Sequence, residues 1–90
     1  IERYIRETKR LREWFAAELK RHGVRVFPSK GNFLLADFGE GGPALFRKLT
    51  RNEILIRERS NDLGPGFARI TIGTRLELQA FLQILDSVDM

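Results

Sequence analysis

Ninety residues, 42% of them hydrophobic and only three of them proline, make one compact domain and argue against a disordered tail. The absence of cysteine excludes a disulfide framework, a thiolate nucleophile and a thiolate metal site, and fits a reducing, cytoplasmic setting. Lys and Arg total 16 against 12 for Asp and Glu; the net charge of +4 favours an anionic partner without choosing among phosphate, carboxylate and nucleic acid. The longest apolar runs, ILI and FLLA, fall far short of the roughly 18 residues that a membrane span requires. A domain this small buries only about two-thirds of the surface its unfolded chain exposes, so its stability should be modest. The chain opens on Ile1 rather than methionine, and the expectation is a segment of something longer.

In IERYIRETKRLREWFAAELKRHG the apolar residues Ile1, Tyr4, Ile5, Leu11, Trp14, Phe15 and Leu19 recur at spacings of three and four, which predicts an amphipathic helix ending near His22. Gly23 stands where a left-handed residue closes a helix, and Lys20, Arg21 and His22 suit its negative end. VRVF and NFLLADF read as two strands joined by the turn PSKG. Pro43 opens a helix over ALFRKLTR, NEILIR and ARITIG read as two further strands, and Thr74 with Glu77 forms the T-x-x-E start of a last helix. Its apolar stripe is Leu76, Leu78, Phe81, Leu82, Leu85 and Val88. The order α-β-β-α-β-β-α predicts an α+β two-layer sandwich, an antiparallel sheet with helices on one face, as a single domain over residues 1–90.

Alternation along the last two strands places Ile54 and Ile56 on one face, and Ile70 and Ile72 likewise, where helices would cover them. If the hairpin pairs symmetrically about its loop, Arg57 stands opposite Arg69, and Leu55 opposite Thr71, with both arginines on the other face beside Thr71 and Gly73. Like charges facing each other across a strand pair are destabilising, so an oxyanion between them is one explanation. Solvated strand ends, or pairing with Glu58 and Asp62, is the other.

The remaining candidates favour bland roles. Lys30 lies in a turn, unlike the buried, desolvated lysine that Schiff-base chemistry needs. His22, the single histidine, suits a helix end, and Trp14 and Phe15 suit packing. GEGGP lacks the spacing of a phosphate-binding loop and reads as a plain loop. The basic residues of the first helix alternate with Glu2, Glu7, Glu13 and Glu18, and no aromatic pair on the strands matches a base-stacking pattern.

At ILIRERSNDLGPGFARITIGTRLEL the sequence resembles the C-terminal small domain of fold-type-I pyridoxal-phosphate aminotransferases, and within them histidinol-phosphate aminotransferases. SKGNFLLADF looks like that family's S-x-x-N-F strand, and the element order agrees over essentially all 90 residues. The resemblance implies that Arg69, in R-I-T-I-G-T, binds the acidic end of the substrate and that Arg57 helps to hold its phosphate, with Asn32 a further candidate. It implies amino transfer between histidinol phosphate and 2-oxoglutarate in histidine biosynthesis, with glutamate as the other amino partner. The cofactor, pyridoxal 5'-phosphate, its Schiff-base lysine and its phosphate-binding groups would belong to a large domain that no segment here resembles. This chain would then contain no catalytic, cofactor-binding or metal-binding residue and be inactive alone.

Threonine-phosphate decarboxylases and other amino-acid aminotransferases share this small-domain plan. A free-standing basic α+β domain binding nucleic acid is the alternative from another class. The leading reading expects neither nucleic acid nor membrane as partner, a homodimeric parent enzyme, and self-association of the isolated domain through its first helix or its arginine-bearing face.

Overall fold

The computed structural model describes residues 2–28, 31–54 and 56–88. Ile1, Lys30 and Leu55, which the sequence reading assigned to a helix stripe, a turn and a strand face, lie outside them. The helix α1 spans Glu2–Arg21 and β1 Arg25–Phe27, followed by β2 at Phe33–Asp37. A 3₁₀ turn at Gly39–Gly41 leads into α2, Gly42–Arg51; β3 is Arg57–Glu58, β4 Phe67–Thr71 and α3 Arg75–Ser87. The expected order of elements is the observed one.

The four strands form one sheet in the order β1-β2-β4-β3, with every neighbouring pair antiparallel. Alternation sorts the two faces. Leu34 and Ala36 of β2 and Ala68 and Ile70 of β4 are buried beneath the helices, together with Ile72 just beyond β4. They meet Phe15 and Leu19 of α1, Leu45, Phe46 and Leu49 of α2, and Leu78, Phe81, Leu82 and Leu85 of α3 in one core. Phe81 anchors it, edge-on to Phe15 at 5.2 Å between centroids and tilted against Phe38 at 6.1 Å. Among the described residues no helix covers the other face of the sheet, which presents Arg25, Phe27, Phe33, Leu35, Arg57, Phe67, Arg69 and Thr71.

Several boundaries differ from the sequence reading for local reasons. NEILIR is not a strand throughout. The Asn52 N–H donates to the carbonyls of Lys48 and Leu49, and the Ile54 N–H to Leu49, so these residues close α2 before β3 begins at Arg57. Ile54 and Ile56 nevertheless pack against the core as half-buried residues. GEGGP is not a plain loop: Gly39–Gly41 form a 3₁₀ turn, and Gly42 and Pro43 already belong to α2. The apolar stripe of α1 is only partly used: Tyr4 is 67% and Ile5 59% exposed, and the buried residues of α1 are Phe15 and Leu19. Leu76, counted with the stripe of α3, sits in its first turn at 77% exposure.

Two close approaches set where β4 starts. The carbonyl of Gly66, a residue at φ +95°, accepts from the Phe38 N–H at 2.7 Å, and its Cα lies 2.6 Å from where a β-carbon on Gly42 would stand. A β-carbon on Gly66 itself would collide with the Gly39 carbonyl. At the other end of β4, the Thr74 Oγ1 accepts from the Glu77 N–H at 3.2 Å and the Glu77 carboxylate accepts from the Thr74 N–H at 2.9 Å, the expected capping box.

Candidate anion-binding site

Antiparallel pairing of β3 with β4 puts Arg57 directly opposite Arg69, and Glu58 opposite Ala68. On the far side of β4, Leu35 pairs with Arg69 and Phe33 with Thr71. Because Ala68 and Ile70 point into the core, both arginines emerge on the open face. They share with Ile56 and Thr71 a shallow hollow of about 330 Å³ at the β3 edge of the sheet.

Neither arginine is neutralised among the described residues. Asp62, a candidate partner at the sequence level, is held by Arg59: the Arg59 Nε lies 3.1 Å from Asp62 Oδ2, and Nη2 closes a second bond to the same oxygen. That bond and the charge of Arg59 hold the Asp62 carboxyl below its ordinary range. Asp37, on the same face, turns its Oδ1 to the Gly39 N–H at 2.9 Å. Glu58 forms no ion pair with either arginine among the described residues. Two adjacent guanidinium groups without a carboxylate can grip a doubly charged oxyanion through parallel N–H bonds.

The two are not equivalent. Arg57 is exposed on a two-residue edge strand, whereas Arg69 is half-buried on an inner strand and its Cζ sits 4.9 Å from the centroid of the Phe33 ring. Asn32, the third candidate, is exposed one residue before β2; its carbonyl accepts from the Ile72 N–H at 2.6 Å, which extends the β2–β4 pairing beyond Phe33 and Thr71. The preceding Gly31 carbonyl accepts from Arg12 of α1, which ties this turn to the helix.

Sequence reasoning missed Arg12, Phe33 and Arg59. No local signal marks Arg12, whose partner is 19 residues away, while the i,i+3 spacing of Arg59 and Asp62 was available to read. The open face also carries an aromatic pair that the sequence did not single out: Phe27 and Phe67 stack at 5.9 Å, and the Arg25 Cζ lies 5.4 Å from the Phe27 centroid. His22 proves to be more than a helix-end cation. Its Nδ1–H donates to the Glu18 carbonyl at 2.8 Å and its Nε2 meets Asp86 of α3, and these two bonds raise its pKa above the ordinary value. Trp14 is half-buried against the core with the Arg75 Cζ 4.2 Å from its ring, and Phe15 is fully buried, as packing roles require.

A larger hollow of about 460 Å³, lined by Glu53, Ile54, Ile70, Leu78 and Phe81, opens between the end of α2 and the start of α3. Its Glu77 is committed to the cap, and it brings together no pair of cations. Among the described residues no group of three or more His, Cys, Asp or Glu could hold a metal ion, and no helix is long and apolar enough to cross a membrane.

The pattern for the family described as "Aminotransferase class I and II" matches residues 1–85. Among individual proteins, the chain is 41% identical over 87 residues to the histidinol-phosphate aminotransferase of Geobacter sulfurreducens, covering 96% of this chain and 24% of that protein. The crystal structure of the histidinol-phosphate aminotransferase from Clostridium acetobutylicum superimposes with a TM-score of 0.77 at 31% identity over 88% of this chain and 25% of its own. That of L-threonine-O-3-phosphate decarboxylase from Porphyromonas gingivalis does so with a TM-score of 0.80 at 33% identity, over 92% and 27%. The chain thus spans about a quarter of the length of each of these proteins. A family match over 85 residues and a shared sheet-and-helix plan lead to one conclusion: the chain belongs to the class I and II aminotransferase family.

Proposed function

We propose that these 90 residues are the substrate-recognising small domain of a longer aminotransferase, with Arg57 and Arg69 as a dianion site and histidinol phosphate and 2-oxoglutarate as the substrates. The observation that carries this reading is the Arg57–Arg69 register on an uncovered sheet face, free of carboxylate partners among the described residues. A phosphate dianion relieves the repulsion between the two guanidinium groups, and the distal carboxylate of 2-oxoglutarate takes the same place. Asn32, at the neighbouring end of β2, offers a neutral amide to the polar part of the substrate.

Pyridoxal 5'-phosphate, when bound, supplies the electron sink for amino transfer. Among the described residues no ionisable side chain is buried, and Lys48 spends an N–H on the Ser87 Oγ at 2.6 Å, so none of the described lysines is desolvated in the way that holding a cofactor carbonyl requires. The reading therefore assigns the cofactor and the catalytic lysine to the remainder of the protein. The work of this chain is to bind the anionic end of the substrate, orient it, and exclude water as the sheet face closes over the site.

The relationship to the P. gingivalis structure supports a second reading within the family, decarboxylation of threonine phosphate, which would use the same arginine pair for its phosphate. Assays of the full-length protein decide between them. Phosphate-dependent transfer from histidinol phosphate to 2-oxoglutarate supports the first, and carbon dioxide release from O-phosphothreonine the second. A protein that turns over the dephosphorylated analogues of both equally well would overturn the dianion site.

A further inference from the structure

We propose that Phe33 is a positioning residue for Arg69: its ring holds the guanidinium in place for the anion without using any of its hydrogen-bond donors. This rests on the assignment of Arg69 to the anion site. The register makes the contact possible. Leu35 is the direct neighbour of Arg69 and Phe33 that of Thr71, so Phe33 is the diagonal neighbour of Arg69, within reach of a ring and a long side chain on one face. The contact is made, with the Arg69 Cζ 4.9 Å from the ring centroid.

The kind of partner matters. A carboxylate beside Arg69 would fix its orientation, but it would also occupy the bidentate edge and cancel the charge that the substrate needs. An aromatic face attracts the cation through its quadrupole and leaves the five N–H groups at the rim of the guanidinium plane free. The surrounding acids are disposed consistently: Asp62 is held by Arg59, and Asp37 is turned to the Gly39 N–H. Arg57, which contacts no ring among the described residues, remains exposed. The site thus has one arginine ordered in advance and one that the ligand must order, and ordering a rotamer-rich side chain before binding lowers the cost of association.

The test uses the full-length protein and steady-state kinetics with histidinol phosphate and its dephosphorylated counterpart. Phe33→Leu and Phe33→Met keep an apolar side chain without the ring; Phe33→Tyr keeps the ring; Arg69→Ala is the control. The expected result is a KM for the phosphorylated substrate raised about 2- to 30-fold in Phe33→Leu and Phe33→Met, the range a lost cation–π contact allows. The KM for the dephosphorylated substrate and both kcat values stay within about 2-fold, and Phe33→Tyr behaves as wild type. Two variants without the ring keep the test decisive should one fail to fold. Equal effects on both substrates, or wild-type kinetics in Phe33→Leu and Phe33→Met while Arg69→Ala weakens phosphate-dependent binding, would overturn the role of Phe33 alone. An Arg69→Ala enzyme with unchanged preference for phosphate would overturn the site itself, and this inference with it.

Discussion

The Arg69 guanidinium rests on the face of Phe33, 4.9 Å from Cζ to ring centroid, while Arg57 across the strand pair contacts no ring among the described residues. The asymmetry makes the two arginines unequal in what their loss should cost. In the full-length protein, Arg69→Lys keeps the charge but loses the two parallel N–H bonds, a loss of about 1.5–3 kcal/mol, or roughly 10- to 150-fold in kcat/KM for the anionic substrate. Arg57→Lys, at an exposed edge, should cost several-fold less. Comparable losses in the two variants would mean that the burial of Arg69 has no bearing on binding.

The glycine contact between the turn before α2 and the loop before β4 is predicted to be a major determinant of stability. In Gly66→Ala the new methyl meets the Gly39 carbonyl at a backbone φ of +95°, so the collision and the strain add. The expected loss is at least about 2 kcal/mol, seen as a lower urea midpoint. Gly31→Ala, also at positive φ but with open space around it, should cost only about 1 kcal/mol.

Glu53 is the one non-glycine residue at positive φ among those described, at +62° in the turn that closes α2. Glu53→Gly removes the clash of its β-carbon with the backbone at the cost of a more flexible unfolded chain. A net gain of roughly 0.5–1 kcal/mol is expected, read as a raised Tm. An unchanged or lowered Tm would show that the Glu53 side chain makes a compensating interaction in solution.

Stability should depend on pH through His22 in a defined direction. The Glu18 carbonyl, first, and Asp86, second, raise the folded-state pKa above the ordinary 6.5. The folded protein therefore binds more protons than the unfolded chain just above pH 6.5, and stability falls as pH rises there. The contribution is complete below the unfolded value and lost as pH passes the folded one. Thermal unfolding of wild type and His22→Asn at a series of pH values between about 5.5 and 8.5 checks this, and the difference in Tm should shrink towards the alkaline end.

The cap on α3 has the opposite sign. Bonds from the Thr74 N–H and hydroxyl lower the Glu77 pKa below its ordinary 4.5, so its contribution is present above that value and lost as pH falls through the folded pKa. Thr74→Ala should cost about 1 kcal/mol at neutral pH, and acidification should narrow the gap between variant and wild type. A gap that holds constant to pH 3 would show that the box is not formed in solution.

Much of this molecule could be read along the chain because the causes are local. The period of the apolar residues marks α1 and α3, Pro43 marks the start of α2, and Thr74 and Glu77, three apart, fix the start of the last helix. Symmetric pairing about the RSNDLGPG loop places Arg57 opposite Arg69, since register in a hairpin follows from its own sequence. The family, too, was legible, because R-I-T-I-G-T and S-K-G-N-F stand as short continuous runs.

What the tertiary structure alone decided involves residues far apart in sequence. That β4 also pairs with β2, which gives Arg69 a diagonal neighbour in Phe33, is encoded by no local pattern. The same holds for His22 with Asp86, 64 positions away, and for Gly42 against Gly66. Periodicity also names more apolar residues than the fold buries: Tyr4, Ile5 and Leu76 satisfy the helical pattern yet stay exposed. A pattern reports which face of a helix is apolar, but only the other elements determine how much of that face they cover.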